Sequence, residues 1–250
     1  MPGESNKEPA SQGNQLPVKW IVLGVIAISF MLIFKSELGG LLERTSDLKI
    51  SASGLEIKAE PKSVDTPIGP TQVSVVPVAR APQVKTGIQN STYTSVESGF
   101  QISWPNNTDW RADEAFGVNV VQSMGLGDTV KIPITIFSTH MIESVTPNIN
   151  VAVEQAGQMS IEDYMVAAEA NVEAMGVEIV SSSIDEETNG AIIVAMNYMY
   201  GAPVYQFQKI AITNGKAYIV TATQVPKGDT LTQGLRSDLA SIINSFRVIQ

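Results

Sequence analysis

Four strand-like runs follow one another near the C-terminal end of this 250-residue chain, and short turn-forming segments separate them. The runs are residues 177–183, 191–200, 204–212 and 217–223, all rich in Val, Ile, Tyr or Ala. Asn214 and Gly215 separate the last two runs and form the dipeptide typical of a two-residue type I′ hairpin turn. Strands joined by such short turns are antiparallel, because a parallel pair needs a long crossover. The pattern therefore predicts an antiparallel meander.

Amphipathic helices are predicted on both sides of this meander. The first begins at Ser160, whose side chain caps the helix with Asp163 three residues later, and it ends at Gly176. The last begins near Asp229 and carries apolar residues at helical spacing, which are Leu231, Leu235, Leu239, Ile242 and Phe246. Earlier strands are expected over 100–104, 132–137 and 149–153, whereas 112–124 fits either a helix or a strand with a loop. This order predicts an α+β fold in which helices flank an antiparallel sheet.

Composition excludes several kinds of chemistry. The chain has no cysteine and one histidine, His140, so a disulfide framework, a zinc finger, an iron–sulfur cluster and a thiol nucleophile are all excluded. The formal net charge of −9 argues against a nucleic-acid partner, because such proteins present a basic surface to phosphates. We therefore predict no cofactor, no metal site and no nucleic-acid binding.

An uncharged apolar run over residues 20–34 predicts a membrane span. Its 15 residues cover about 22 Å of a ~30 Å hydrocarbon core, and the stems of Lys19 and Lys35 extend that reach. Trp20 and Phe34 lie at its two ends, where interfacial aromatic residues are common. A cleaved signal peptide is disfavoured, because the run follows a 19-residue acidic and basic leader and precedes no small-residue cleavage site. We predict a disordered tail over 1–17 and one transmembrane helix over 18–38.

The orientation of this span is not decided by its flanking positive charges, which are nearly balanced. A short polar tail before the span and a long chain after it favour a single-pass cell-membrane protein with its C-terminal domain outside the cytoplasm.

A tether is predicted between the span and the C-terminal domain. Residues 39–60 contain an amphipathic β segment, in which Leu48, Ile50, Leu55 and Ile57 alternate with polar residues around a turn at residues 53–54. This segment is either a poorly ordered stalk, since an isolated hairpin is marginal in water, or a set of strands that pair with copies of themselves in a homo-oligomer. Residues 61–90 contain five prolines and predict an extended linker, which leaves 91–250 as the folded domain.

Several short motifs of this domain resemble the PsbP/Mog1-like superfamily, which includes the DcrB- and LpqN-type bacterial envelope proteins. They are the run from Phe100 to Pro105 with Trp110, the helix start over residues 159–164, residues 218–222 and the closing helix that ends at Phe246. The resemblance covers residues 93–249. It implies a sheet between helices, a place outside the cytoplasmic membrane and a binding or assembly role. The chain departs from the envelope lipoproteins of this group in having no cysteine.

Catalytic motifs are absent from the sequence: no nucleophile elbow, phosphate-binding loop, zinc-protease helix or calcium loop is present. His140 is interpreted as a structural or surface residue, because a catalytic triad needs an oriented partner. The acidic residues 185–187, and the pair Asp113 and Glu114, are interpreted as solvated charges. We predict no catalytic residue and no enzyme activity.

A cluster of large side chains on two adjacent strands provides the candidate binding residues. They are Met196, Tyr198, Tyr200, Tyr205 and Phe207. Such a cluster is typical of a protein-binding patch or a ligand groove, and the structural alternative is a sheet face packed under a helix.

These observations predict a membrane-anchored binding or assembly module. Residues 91–250 carry seven basic and seventeen acidic side chains, a net charge of −10, which favours a neutral or basic protein partner. One alternative is a homo-oligomeric scaffold assembled through the span and residues 48–59. The other is a small-ligand carrier or hydrolase with a pocket between sheet and helix.

Overall fold

The computed structural model describes residues 63–75, 85–142, 145–199, 202–224 and 233–249. These residues form thirteen strands and three helices, in chain order β1 (Ser63–Thr66), β2 (Gly69–Gln72), β3 (Gly87–Gln89), β4 (Thr92–Ser95), β5 (Phe100–Ser103), β6 (Trp110–Asp113), α1 (Glu114–Ser123), β7 (Val130–Ser138), β8 (Asn148–Gln155), α2 (Ile161–Ala174), β9 (Glu178–Asp185), β10 (Gly190–Met199), β11 (Ala202–Thr213), β12 (Lys216–Gln224), α3 (Gln233–Ser245) and β13 (Arg247–Val248).

A seven-stranded antiparallel sheet forms the centre of the domain, in the order β6-β7-β8-β12-β11-β10-β9. The meander predicted from the sequence is confirmed as β9 to β12. Asn214 (φ +53°) and Gly215 (φ +71°) both adopt the left-handed conformation that a type I′ turn requires. The α+β prediction is likewise confirmed.

The two faces of this sheet are covered by different elements. One face, named here the α3 face, packs against α3, the four-stranded sheet β13-β5-β4-β3 and the β1–β2 hairpin. The other, named the α1/α2 face, packs against α1 and α2. Because side chains alternate along each strand, the central strands β7, β8, β10, β11 and β12 each contribute to two separate cores.

The helices of the α1/α2 face begin at side-chain caps. Asp113 accepts hydrogen bonds from the backbone N–H groups of Ala115 (2.8 Å) and Phe116 (2.9 Å), and α1 follows. Asp113 is exposed, in agreement with its interpretation as a solvated charge, and its carboxylate also satisfies backbone donors at the helix start. The structure also resolves the ambiguity over 112–124, where β6 ends and α1 follows. The predicted cap at Ser160 is confirmed by a 3.1 Å bond from the Asp163 N–H.

Aromatic side chains dominate the core of the α3 face. Phe100 of β5 lies 5.8 Å from Phe246 and 6.4 Å from Tyr218, measured between ring centroids. Tyr93 lies 5.8 Å from Phe100 on its other side. The residues from which the family resemblance was drawn are thus largely core residues that join the small sheet to the large one.

The β1–β2 hairpin corrects the prediction of an extended linker over 61–90. Ile68 (2 % exposed), Val73 (0 %) and Val75 (5 %) are buried in the α3-face core. The backbone N–H of Gln72 donates to Asn244 Oδ1 at 3.3 Å, so the hairpin is joined to α3. Proline content was misleading here, because turns and short edge strands accept proline. The folded domain therefore begins before residue 91.

The predicted span over 18–38 lies outside the described residues, as do the tail and the segment over 39–60. Among the described residues, no helix combines the length and the apolar character that a membrane crossing requires.

Candidate binding surface

The end of the β10–β11 hairpin extends beyond the strands on either side of it. β9 pairs with β10 only as far as Met196, and β12 pairs with β11 only from Tyr205 onward. The last three described pairs of the hairpin, from Asn197 opposite Val204 to Met199 opposite Ala202, pair only with each other. This end of the hairpin is therefore a free rim of the sheet in the part of the chain that the structure describes.

Large apolar side chains cover the α3 side of this rim. Met196 lies directly opposite Tyr205, and Tyr198 lies opposite Pro203, so the four share one face. The Tyr198 side chain is 66 % exposed, whereas Met196 and Tyr205 are half-buried. Tyr205 packs against the α3-face core. Tyr205 is held by the core, and the exposed ring of Tyr198 on the same face is available to a partner.

The structure corrects one of the predicted binding residues. Phe207 is 1 % exposed and lies within the α3-face core, where it cannot contact a partner. Tyr200 lies outside the described residues. The predicted oligomerisation residues lie outside them too: Leu48, Ile50, Leu55 and Ile57.

Two residues of this rim were not predicted. Pro203 lies opposite Tyr198, and Asn197 accepts a 2.8 Å hydrogen bond from the Tyr198 N–H through its Oδ1. The hairpin register, in which Met199 lies opposite Ala202, places Pro203 there. The surface is named here the hairpin-end surface and consists of Met196, Tyr198, Pro203 and Tyr205.

No charged residue occurs between Glu187 and Lys209, so the hairpin-end surface is electrically neutral within an acidic domain. A neutral apolar patch loses little free energy on dehydration, while the acidic surface around it disfavours acidic partners.

A buried carboxyl group lies on the α1/α2 face. Glu154 is 2 % exposed, and its Oε1 accepts a short hydrogen bond from the hydroxyl of Tyr164 on α2. Burial raises the pKa of Glu154 to about 7, although the Tyr164 hydrogen bond opposes this shift. Burial also raises the pKa of Tyr164 well above its ordinary value. Both groups are thus closed to a substrate, and their pairing is structural.

Lys209 is a buried amine on the α3 face. It is 2 % exposed and lies opposite Ile192 and Val220, which belong to the apolar core. Burial, with a smaller contribution from the charge of Arg247, lowers the pKa of Lys209 to about 8. No carboxylate pairs with it among the described residues.

The remaining ionisable candidates lie at the surface. His140 Nε2 lies 3.0 Å from Asp109 Oδ1, and both side chains are exposed. The acidic residues 185–187 occupy the end of β9 and the turn that follows it. Within the described ranges no three His, Asp or Glu side chains come together as a metal site.

A cleft of about 300 Å³ separates α1 from the small sheet. Tyr93, Val121, Gln122 and Ile132 line it. At its rim, Lys131 donates a 2.5 Å hydrogen bond to the exposed Glu97, and this bond lowers the pKa of Glu97. The lining also includes the hydroxyl groups of Ser95 and Ser98, but among the described residues neither is hydrogen-bonded to the Glu97 carboxylate or the Lys131 amine, so no activated nucleophile is formed.

Solved structures similar to this chain include those of PsbP, Mog1 and LpqN. The solution structure of cyanobacterial PsbP (CyanoP) from Synechocystis sp. PCC 6803 matches at 12 % identity and a TM-score of 0.42, over 67 % of this chain and 99 % of that one. The Ran-binding protein Mog1p of Saccharomyces cerevisiae matches at 10 % identity and 0.41, over 65 % and 96 %. LpqN, involved in cell envelope biogenesis of Mycobacterium tuberculosis, matches at 14 % and 0.37, over 60 % and 83 %.

These matches agree with the resemblance predicted from the sequence, which is confirmed as a likeness to the PsbP, Mog1 and LpqN structures. No protein-family model matches the sequence, and no curated protein sequence matches it. The fold described above follows from strand order and packing. The matches assign no role to this chain.

Proposed function

We propose that this protein is a membrane-anchored module that binds a protein partner through the hairpin-end surface. The observation that supports the proposal most strongly is Tyr198, which is 66 % exposed on a rim that extends beyond the neighbouring strands. Tyrosine is enriched among the residues that dominate binding energy, because it buries a large ring and keeps a polar hydroxyl.

The charge of the domain supports a neutral or basic partner. Residues 91–250 carry a net charge of −10, while the hairpin-end surface has no charge of its own. A basic region around the contact area of the partner would be attracted to the acidic domain, and attraction of this kind accelerates association.

Anchoring belongs to the same proposal. The span predicted over residues 18–38 would hold the domain at the cell membrane, outside the cytoplasm, as part of the envelope. Pairing through Leu48, Ile50, Leu55 and Ile57 would make the anchored form a homo-oligomer. Protease treatment of intact and opened cells tests the side of the membrane, and the size of the detergent-solubilised chain with and without residues 36–60 tests the oligomer.

The proposed role involves no catalysis by this chain. Substrate turnover by the purified protein would contradict that part of the proposal.

Quantitative co-purification tests the surface itself. The 250-residue chain, carrying either Tyr198→Ala or Val166→Ala, is crosslinked in its native membrane and purified, and the partner that co-purifies with the unaltered chain is quantified. Val166 is the matched control, since it is 69 % exposed and lies on α2. We expect Tyr198→Ala to reduce the partner at least about tenfold and Val166→Ala to leave it unchanged. Equal recovery from the two variants would contradict the proposal.

A further inference from the structure

The cleft between α1 and the small sheet lies where β7 has no neighbouring strand among the described residues. β6 pairs with β7 only from Thr135 onward, which leaves the first half of β7 at the edge of the large sheet. The register of β7 also shifts between Lys131 and Ile134, beside the cleft. Irregularities of this kind are frequent next to active sites, because they re-aim side chains. The cleft therefore occupies an open edge that no strand fills in the described part of the chain.

The cleft combines a buried floor with an exposed entrance. The floor consists of four buried hydrophobic residues, Tyr93, Val121, Val130 and Ile132. Ser95 and Ser98 add two hydroxyl groups to this lining. Val118 of α1 also lines the cleft and is 39 % exposed, so the space is open to solvent. A volume of about 300 Å³ is at the lower end of the range for ligand pockets, which suits a small molecule.

A close helix–strand contact positions α1 beside this space. A Cβ atom on Gly117 would lie 2.3 Å from Ile132 Cγ2, so only glycine allows α1 to approach β7 this closely. Val118 follows Gly117 directly and faces the cleft. The contact therefore fixes the wall that α1 provides.

Two lysine side chains meet at the entrance of the cleft. Lys131 Nζ donates to Glu97 Oε1 at 2.5 Å, and Lys216 Nζ donates to the Glu97 carbonyl at 3.3 Å. They are two of the seven basic side chains of residues 91–250. Because one carboxylate lies between two ammonium groups, the entrance has an excess of positive charge within an acidic domain.

The ion pair between Lys131 and Glu97 is suited to an exchange of partner. The two side chains are 59 % and 78 % exposed, and exposed pairs contribute little to stability because water solvates both charges. A ligand carboxylate that an apolar body holds in the cleft would replace Glu97 on Lys131 at little cost. Glu114, at the start of α1, does not line the cleft and so does not compete for this position.

We propose that the cleft binds a small aromatic monocarboxylate, with its ring on the apolar floor and its carboxylate on Lys131, beside Lys216. The ring of Tyr93 provides an aromatic neighbour for the ligand. Strand register places Val130 and Lys216 at the end of the large sheet opposite the hairpin-end surface. The site therefore goes beyond the proposed protein-binding role, and either can fail without the other.

Binding of small probes to the 250-residue chain tests this proposal. Phenylacetate is the probe. Acetate lacks its ring, phenylacetamide lacks its charge, and phenethylamine reverses the charge. Ligand-detected NMR titration should give a Kd of about 1 mM or lower for phenylacetate, and binding at least about tenfold weaker for each comparison compound. Absence of phenylacetate binding, or equal binding of phenylacetamide, would overturn the proposal.

Substitutions at the entrance assign the binding to these charges. Lys131→Gln removes the proposed partner of the ligand and should weaken phenylacetate binding about tenfold. Glu97→Gln removes the competing carboxylate and should strengthen binding about threefold. Arg111→Gln is the matched control, because it removes the same charge from an exposed position on β6, and affinity should stay within about twofold. Unchanged affinity in Lys131→Gln, or weaker binding in Glu97→Gln, would overturn the proposal.

A substitution that fills the cleft assigns the binding to the apolar part of the site. Val118→Trp places a large ring at the entrance and should weaken phenylacetate binding at least about tenfold. Val166→Trp, at a 69 % exposed position on α2, is the control and should leave affinity unchanged. Unfolding temperatures of both variants check that each is folded. Wild-type affinity in folded Val118→Trp would overturn the proposal.

Discussion

The two faces of the large sheet differ in what they bury. The α3 face is packed with aliphatic and aromatic side chains, among them Phe100, Tyr218 and Phe246, and it also buries the amine of Lys209. The α1/α2 face is apolar near Ile193 and Ile219 but buries a carboxyl group and several amides and hydroxyls elsewhere. Both faces belong to the same strands, so the difference arises from alternate residues of one sequence.

This difference determines which face contributes most to the stability of the domain. Apolar packing contributes favourable free energy in proportion to the area removed from water, whereas buried amides contribute little unless they are paired. The α3 face therefore stabilises the domain and positions the hairpin-end surface at its rim. The α1/α2 face buries polar groups, several of them unpartnered in the described residues, and these contribute less to stability than apolar packing does.

Truncation of the aromatic core should have the largest effect. Phe246→Ala removes a ring that lies 5.8 Å from Phe100 and 6.0 Å from Tyr218, and we expect the free energy of unfolding to fall by about 4 kcal/mol. Met165→Ala, on the opposite face, should cost about 3 kcal/mol. Urea titration of both variants measures the two values. A larger loss of unfolding free energy in Met165→Ala than in Phe246→Ala would contradict the assignment of the α3 face as the main source of stability.

Replacement of the buried Lys209 should raise the free energy of unfolding, whereas truncation of the core lowers it. The pKa of Lys209 is lowered from 10.5 to about 8, so wild-type stability rises as pH increases through this interval and is lowest below it. We expect Lys209→Met to stabilise the protein by about 3 kcal/mol at pH 7 and to remove this pH dependence. The control is Lys216→Met, a lysine whose Nζ donates to backbone carbonyls at the surface. Unfolding curves at pH 7 and pH 10 check the prediction, and destabilisation by Lys209→Met at pH 7 would refute it.

Glu154, on the α1/α2 face, should make the stability depend on pH to about the same extent as Lys209 does. Its pKa is raised from 4.5 to about 7, so stability is fully present below pH 4.5 and is lost as pH rises through 7, by about 3 kcal/mol in total. Glu154→Gln keeps an acceptor for Tyr164 and should flatten this part of the pH profile. Glu173→Gln, an exposed glutamate on α2, is the control. Chemical unfolding at pH 5 and pH 8 distinguishes the two, and a profile that Glu154→Gln leaves unchanged would contradict the assignment.

A smaller effect is expected at the start of α1. Asp113→Ala removes the acceptor for two backbone N–H groups and should lower the free energy of unfolding by about 1 kcal/mol. The neighbouring Glu114→Ala provides the control, because the Glu114 side chain is not the N-cap. Thermal unfolding of the two variants measures the difference. If both variants lose the same free energy of unfolding, the Asp113 cap makes no specific contribution to the stability of α1.

The sequence predicted the meander and the α2 cap because both depend on local signals, namely strand alternation, Asn214 with Gly215, and Ser160 with Asp163. The packed β1–β2 hairpin could not be predicted from composition, because proline content gave no sign that Ile68, Val73 and Val75 are buried in the α3-face core.

Candidate-site residues were predicted correctly where the alternation of side chains along β10 and β11 is enough to place them on one face. Met196, Tyr198 and Tyr205 do share one face, whereas the burial of Phe207 depends on the α3-face core, which includes residues distant in sequence. The burial of Asn150, Gln206 and Thr223 was not predicted, because Asn, Gln and Thr within a strand are ordinarily interpreted as its solvent side.

Site-specific photocrosslinking tests the central claim, that the hairpin end is the protein-binding surface, most directly. A photoreactive phenylalanine derivative replaces either Tyr198 or Val166 in the 250-residue chain, and native membranes are irradiated. The account predicts a discrete crosslinked product with one partner protein from position 198 and none from position 166. The same products from both positions, or a product from position 166 alone, would contradict it.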